Sequence, residues 1–418
     1  MLEAKKMNKR KIYQVVVAVL LVIVLIFGTP EIINHHQVEA KNKNETYIIG
    51  PNSKPCDNSN KYSTYNKYTK QYYLVLSYLK RLEKEGGGTL ILQRGTYTIS
   101  NTLYVPSNVT ILLKGGVKIV KGKKTGIKNL EASNSIFMLC PYSKQNTKGA
   151  FHKYNGVKNV SIIAEESATI DLAYKRDCVG IMMAHNQNIT ISGITFQNMN
   201  SGHFIELDAS KNVEITDCIF KNHKDSPNNN KEAINLDTPD KTTNGFHAVW
   251  TSYDKTANYN VNINNCVFSN LERAIGTHKY SGGKYHTKIK IYYNTIVNCD
   301  LDAIRIMNWK DIDIRYNEIA NIGKGKSGIR AILVSGASKI TITDNIFSKV
   351  SRPIQLMPWK NSGGGEQYKT IYNTVTKKEI EKMANNTLVD GEEYFIRINN
   401  TYQEFVKDTK KILLNRKS

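Results

Sequence analysis

Five residues whose types could do acid–base or ionic chemistry, Glu206, Asp208, Asp237, His278 and Arg305, fall at matching places in a series of short apolar motifs. The motifs are Phe204-Ile205-Glu206-Leu207-Asp208, Ala233-Ile234-Asn235-Leu236-Asp237, Ala274-Ile275-Gly276-Thr277-His278 and Ala303-Ile304-Arg305-Ile306-Met307. Two more follow, Ala331-Ile332-Leu333-Val334-Ser335 and Pro353-Ile354-Gln355-Leu356-Met357. In each, the isoleucine and the residue two later repeat with the period of a β-strand, so the residues between and after them face the other way. If the motifs stack as neighbouring strands, one outward file reads Glu206, Asn235, Gly276, Arg305 and the other Asp208, Asp237, His278, Met307. Neighbours within a file are then about 4.8 Å apart, and the files about 7 Å apart. Stacked carboxylates repel and raise one another's pKa, which sets a candidate general acid beside a candidate base.

That arrangement suits glycoside hydrolysis through paired carboxylates. Asp208 and Asp237 are the expected catalytic pair, with Glu206 as the alternative partner and His278 beside them. Arg305 would grip a uronate carboxylate bidentately. Asn235, Tyr285 and His286 complete the expected substrate contacts, and Gly276 would leave a gap for a sugar. The expected partner is an anionic polysaccharide. No metal or other cofactor is assigned to this reaction. A second reading is a polysaccharide lyase or epimerase, in which the carboxylates would hold Ca²⁺ and His278, Arg305, Tyr285 or His286 would take the proton beside a uronate. The third is a carbohydrate-binding surface protein without catalysis, using the 24 tyrosines and the long loops. In that case His247, Trp250 and Tyr253 would stack on sugar rings.

The elements that would position these residues are repeats. Alternating strands recur at Asn188-Ile189-Thr190-Ile191, Asn212-Val213-Glu214-Ile215, Asn260-Val261-Asn262-Ile263, Lys288-Ile289-Lys290-Ile291, Asp311-Ile312-Asp313-Ile314 and Lys339-Ile340-Thr341-Ile342. Their first apolar positions are separated by 24, 48, 28, 23 and 28 residues, the long interval spanning an insertion around residues 221–258. No such strand buries its apolar side alone, whereas stacked coils share a continuous core. Two further inward columns follow each strand: Ile194, Cys218, Cys266, Asn294, Asn317, Asn345, then Phe196, Phe220, Phe268, Ile296, Ile319, Phe347. The three asparagines are expected to hydrogen-bond from coil to coil. The expected fold is all-β, a right-handed parallel β-helix. Tyr72–Glu85 reads as a helix capping its N-terminal end, and residues 376–418 as a C-terminal cap with a helix from Tyr402 to Leu414.

The segment Gly86-Gly87-Gly88-Thr89-Leu90, Gly95-Thr96-Tyr97 and Ser107-Asn108-Val109-Thr110 resembles the entry to pectin-lyase-like β-helix proteins, nearest to the polygalacturonases. Those enzymes carry Asn-Thr-Asp, Asp-Asp, Gly-His-Gly and Arg-Ile-Lys on successive coils. The corresponding coils here read Glu206-Leu207-Asp208, Leu236-Asp237, Gly276-Thr277-His278 and Arg305-Ile306-Met307. The resemblance implies Asp208 and Asp237 as acid and base, His278 as their partner and Arg305 as the substrate clamp. The chain departs from that pattern at Thr238, at the shifted histidine and at Met307.

Lys5, Lys6, Lys9, Arg10 and Lys11 precede an uncharged run from Val15 to Phe27, and Val38-Glu39-Ala40 fits a signal-peptidase site. Residues 1–40 are therefore expected to be a signal peptide or membrane anchor, 41–70 a linker, 71–375 the β-helix and 376–418 the cap. The domain would be secreted or held at the cell surface, touching the membrane only through that segment. The net charge of +22 favours polyanions, and export together with the lack of a nucleic-acid motif argues against nucleic acid. The six cysteines form no CxxC pair, so no zinc site is expected. Cys218 and Cys266 share a column and are expected to be buried thiols rather than a disulfide.

Overall fold

Alternating Ile and Val residues with asparagine at the turns build the coils. In the computed structural model, Asn108, Asn159, Asn188, Asn212 and Asn260 all take φ between 54° and 59°, the left-handed conformation that asparagine tolerates best after glycine. Each turns the chain into the next strand. Their amides bond from coil to coil along the outside: Asn159 donates to Asn108, Asn188 to Asn159, Asn212 to Asn188 and Asn260 to Asn212, all at 2.9–3.0 Å.

The structure describes residues 45–224, 231–243, 245–246, 248–361, 369–399, 410–413 and 415–416. The expected signal or anchor segment lies outside them. Parallel strands dominate, and each coil of the central region has three. The first-face strands pair in the order Gln187–Ser192, Lys211–Thr216, Tyr259–Asn264, His286–Tyr292, Trp309–Arg315 and Ser338–Thr343. On the third face, the long strand Gln187–Asp208 pairs through its end with Glu232–Asp237, and the stack continues through Arg273–Gly276, Ile304–Met307, Arg330–Ser335 and Arg352–Leu356. The chain folds as a right-handed parallel β-helix.

The inward columns stand where the repeats put them. Phe196, Phe220 and Phe268 stack with centroids 5.0 and 4.8 Å apart and ring planes within 11°. Asn294, Asn317 and Asn345 form the internal ladder, which continues to Asn386. Each Nδ2 donates to the next Oδ1 at 2.8–2.9 Å and also to a backbone carbonyl of the preceding coil, on Ile263, Ile291 and Ile314. All six cysteines are free thiols, and Cys218 and Cys266 are buried.

The helix Lys70–Glu85 buries Leu74, Val75, Leu76, Leu79 and Leu82 in the same core and ends at Gly86, whose φ is 84°. It closes the N-terminal end as expected. Three boundaries differ from the sequence reading. Thr46–Ile49, within the expected linker, is a strand paired with Gly88–Leu92. The solenoid also runs past residue 375, because Thr387–Gly391 and Phe395–Ile398 continue the parallel pairing. Lys410–Leu413, the end of the expected helix, is instead a strand antiparallel to Phe395–Ile398. The rest of that expected helix lies outside the described residues.

Candidate functional site

The third face sets the register of the candidate residues. Glu206 pairs with Asn235, Asn235 with Gly276 and Gly276 with Arg305, and Asp208 pairs with Asp237. The expected outward files are therefore present as far as these strands run. His278 leaves its file. The strand ends at Gly276, where Thr277 donates its hydroxyl to the Leu236 carbonyl and accepts from Trp309 Nε1. Beyond that point His278 swings toward Glu232, its Nδ1 2.9 Å from Glu232 Oε2.

The face is outward but covered. Asp208 is 0% exposed, Asp237 1% and Glu206 7%. Two apolar lids lie on the same face, one beside Ala184, which pairs with Asp208, and one beside Met307. Phe246 and Trp250, from the insertion, pack with Cys140 and Ala184 on one side. Tyr280, Met307, Leu333, Met357 and Ile371, with Trp359, pack on the other. The insertion passes directly over Asp237: a Cβ added to Gly245 would stand 3.0 Å from both of its carboxylate oxygens. Gly276 leaves no gap for a sugar, because a Cβ there would meet the Arg305 carbonyl at 2.7 Å.

Burial sets the electrostatics. It pushes the Glu206 carboxyl up to about 7. It also holds Asp208 and Asp237 well above the usual carboxylate range, with the neighbouring carboxylates adding to the effect. Asp237 Oδ1 accepts from the Thr238 amide at 2.7 Å. Asp208 has no hydrogen-bond partner for either carboxylate oxygen among the described residues, and the Asn235 amide likewise has none.

Beside these lies a second file of ionisable residues. Two residues before each inward isoleucine stand His203, Glu232, Arg273, Asp302, Arg330 and Arg352. Asp302 lies 3.6 Å from Arg273 and 2.9 Å from Arg330, and Arg352 lies 3.1 Å from Glu393. Burial opposes the charge on Glu232, but His278, Arg273 and Arg305 overcome this and hold its pKa below the usual range. Arg305 faces Glu232 at 4.0 Å and stacks on Trp359 with 5.2 Å to the ring centroid. Burial lowers its pKa to about 10. The signal was in the aligned repeats: a charged residue or histidine at one fixed position, coil after coil.

The remaining expected residues are dispersed. His286 is buried, and its Nδ1 accepts from the Asn258 amide at 3.1 Å, so it anchors a coil junction and cannot touch a substrate. Tyr285 is 38% exposed on the loop before it and makes no contact with the carboxylates among the described residues. Trp250 is buried in a lid, and Tyr253 Oη donates to the Ala248 carbonyl, so both pack the insertion rather than face a sugar. His247 lies outside the described residues. Outward aromatic surface occurs elsewhere: Tyr293 and Tyr316, 59% and 46% exposed, stack 5.0 Å apart.

Comparison with known proteins agrees with the fold. Residues 179–375 match the family model described as right handed beta helix region. A curated relative, plasmin and fibronectin-binding protein A of Streptococcus pneumoniae, is 25% identical over 263 residues. The match covers 58% of this chain and spans 36% of the length of that relative. Two solved structures of PfbA, a surface adhesin of S. pneumoniae, superpose with TM-scores of 0.58 and 0.56 at 19% and 18% identity. Each covers 82% of this chain, and 77% and 91% of the respective solved chains.

Proposed function

We propose that this chain is an exported, surface-displayed binding protein of the adhesin type, which holds an extracellular macromolecule and does not cleave it. The observation that carries this reading is the burial of the carboxylates. A glycosidic bond must reach both the acid and its partner, and here Asp208 and Asp237 lie beneath the insertion and between two apolar lids. The sequence similarity to a plasmin- and fibronectin-binding protein supports it. The basic N-terminal segment and uncharged run are consistent with export, and the strongly basic charge with an acidic partner.

One observation favours the hydrolase instead. Glu206, 7% exposed and titrating near neutrality beside two more carboxylates, has the character of a general acid. Under that reading the lids would have to open.

Binding separates the two. The full domain is passed over immobilised fibronectin, plasmin and a panel of acidic polysaccharides. Saturable binding to at least one of them is expected, with affinity unchanged within about twofold in Asp208→Asn and Asp237→Asn, because a covered carboxylate makes no contact with a surface partner. Absence of binding to every partner, or its loss in either variant, overturns the reading.

A further inference from the structure

The geometry points to a transition-metal site formed by His203, Glu232 and His278, one residue from each of three successive coils. One ligand atom from each side chain lies within 4.8 Å of the others. None of the three was expected to bind metal from its sequence position. The inference does not depend on the binding reading above.

The hydrogen bonds fix the tautomer of each ring. His203 Nδ1 lies 2.6 Å from the Glu232 carbonyl, which only accepts, so Nδ1 carries the proton and Nε2 keeps its lone pair. His278 Nδ1 lies 2.9 Å from Glu232 Oε2, so it donates there and its Nε2 is also a lone pair. Ligating histidines usually donate their other ring nitrogen to a carbonyl or carboxylate, as His203 does here. The rings stack 5.3 Å apart at 24°, held side by side. Glu232 Oε1 is buried and has no hydrogen-bond partner among the described residues; its nearest cation is Arg305 at 4.0 Å. Two imidazoles and one carboxylate form a zinc-type set that leaves one coordination position for water. With metal–nitrogen bonds of about 2.0–2.1 Å, the three side chains must draw together and the His278–Glu232 hydrogen bond must give way, because a carboxylate held on Nδ1 cannot reach an ion on Nε2 of the same ring.

A cation also competes for the site. Lys231 Nζ lies 3.4 Å from His278 Nε2 and donates to it. A divalent ion must displace that ammonium, which rides on a flexible four-carbon stem. The site would then be a staple, tying together the coils that carry the covered carboxylates.

Equilibrium dialysis of the full chain against Zn²⁺, with metal counted by mass spectrometry, tests this. The spectrum of the Co²⁺-loaded protein identifies the ligands. One ion per chain is expected, with visible d–d bands and no thiolate-to-metal band in the near ultraviolet. Binding should weaken by more than roughly 100-fold in His203→Gln and in His278→Gln, and tighten in Lys231→Met, which removes the competing cation. Lys231→Met keeps the test decisive if a histidine variant fails to fold. The proposal is overturned by no stoichiometric metal, by a thiolate band, by unchanged affinity in both histidine variants, or by weaker binding in Lys231→Met.

Discussion

Replacing Glu206 with glutamine should stabilise the folded chain by about 3 kcal/mol at pH 8 and by almost nothing at pH 4. Burial raises this carboxyl from its ordinary 4.5 to about 7. A tenfold change in proton affinity is worth about 1.4 kcal/mol. The sign follows from linkage: between those two values the folded state binds the proton more tightly than the unfolded state, so stability falls as pH rises. Glutamine carries no proton to lose and escapes that cost. The gain should grow from pH 4.5 to 7 and then level off. Asp208→Asn should shift stability in the same direction, since both its carboxylate oxygens are buried without partners among the described residues.

The wild-type profile alone would mislead. His203 and His278 are pushed down to about 3 and 4 by burial, so they contribute stability above their ordinary pKa that is lost as pH falls. The two trends oppose each other. The difference in melting temperature between variant and wild type, taken from pH 4 to 9, isolates the carboxylate. A flat difference would mean that Glu206 is well solvated, and the covered-site account would fail with it.

Asn317→Ala should cost about 3–6 kcal/mol, read from urea unfolding. Asn317 Oδ1 accepts from the backbone and side-chain amides of Asn294 at 3.0 and 2.9 Å. Its own Nδ2 donates to the Ile291 carbonyl and to Asn345 Oδ1. Alanine leaves several of these buried groups unpaired, each at about 1–3 kcal/mol. Removing an end of the ladder should cost less, because fewer partners are orphaned. A loss below about 1 kcal/mol would show that the ladder is replaceable by water.

The repeats made the scaffold legible. Strict alternation at Ile189, Val213, Val261, Ile289, Ile312 and Ile340 forced the stacked coils, and the register of Glu206, Asn235, Gly276 and Arg305 followed from aligning them. His278 was misplaced because strand period was extended one step beyond Gly276, where the Thr277 hydroxyl ends the strand on the Leu236 carbonyl. The cover over Asp237 could not be read at all. It comes from Phe246, Trp250 and Gly245, which lie in a non-repeating insertion with no register to extrapolate. Glu232 was passed over although the alignment held the clue, since a glutamate before a strand looks like a turn residue until its partners Arg305 and His278 are seen beside it.

The central claim is that the carboxylates of the third face are covered and the protein binds without cleaving. The most direct measurement incubates the purified domain with acidic polysaccharides, with calcium or with chelator, and reads reducing ends together with ultraviolet absorbance. The account predicts neither new reducing ends nor an absorbing double bond under any of these conditions. Reducing ends that appear with the wild type and vanish in Asp237→Asn would contradict it and return Asp208 and Asp237 to the role of a hydrolytic pair.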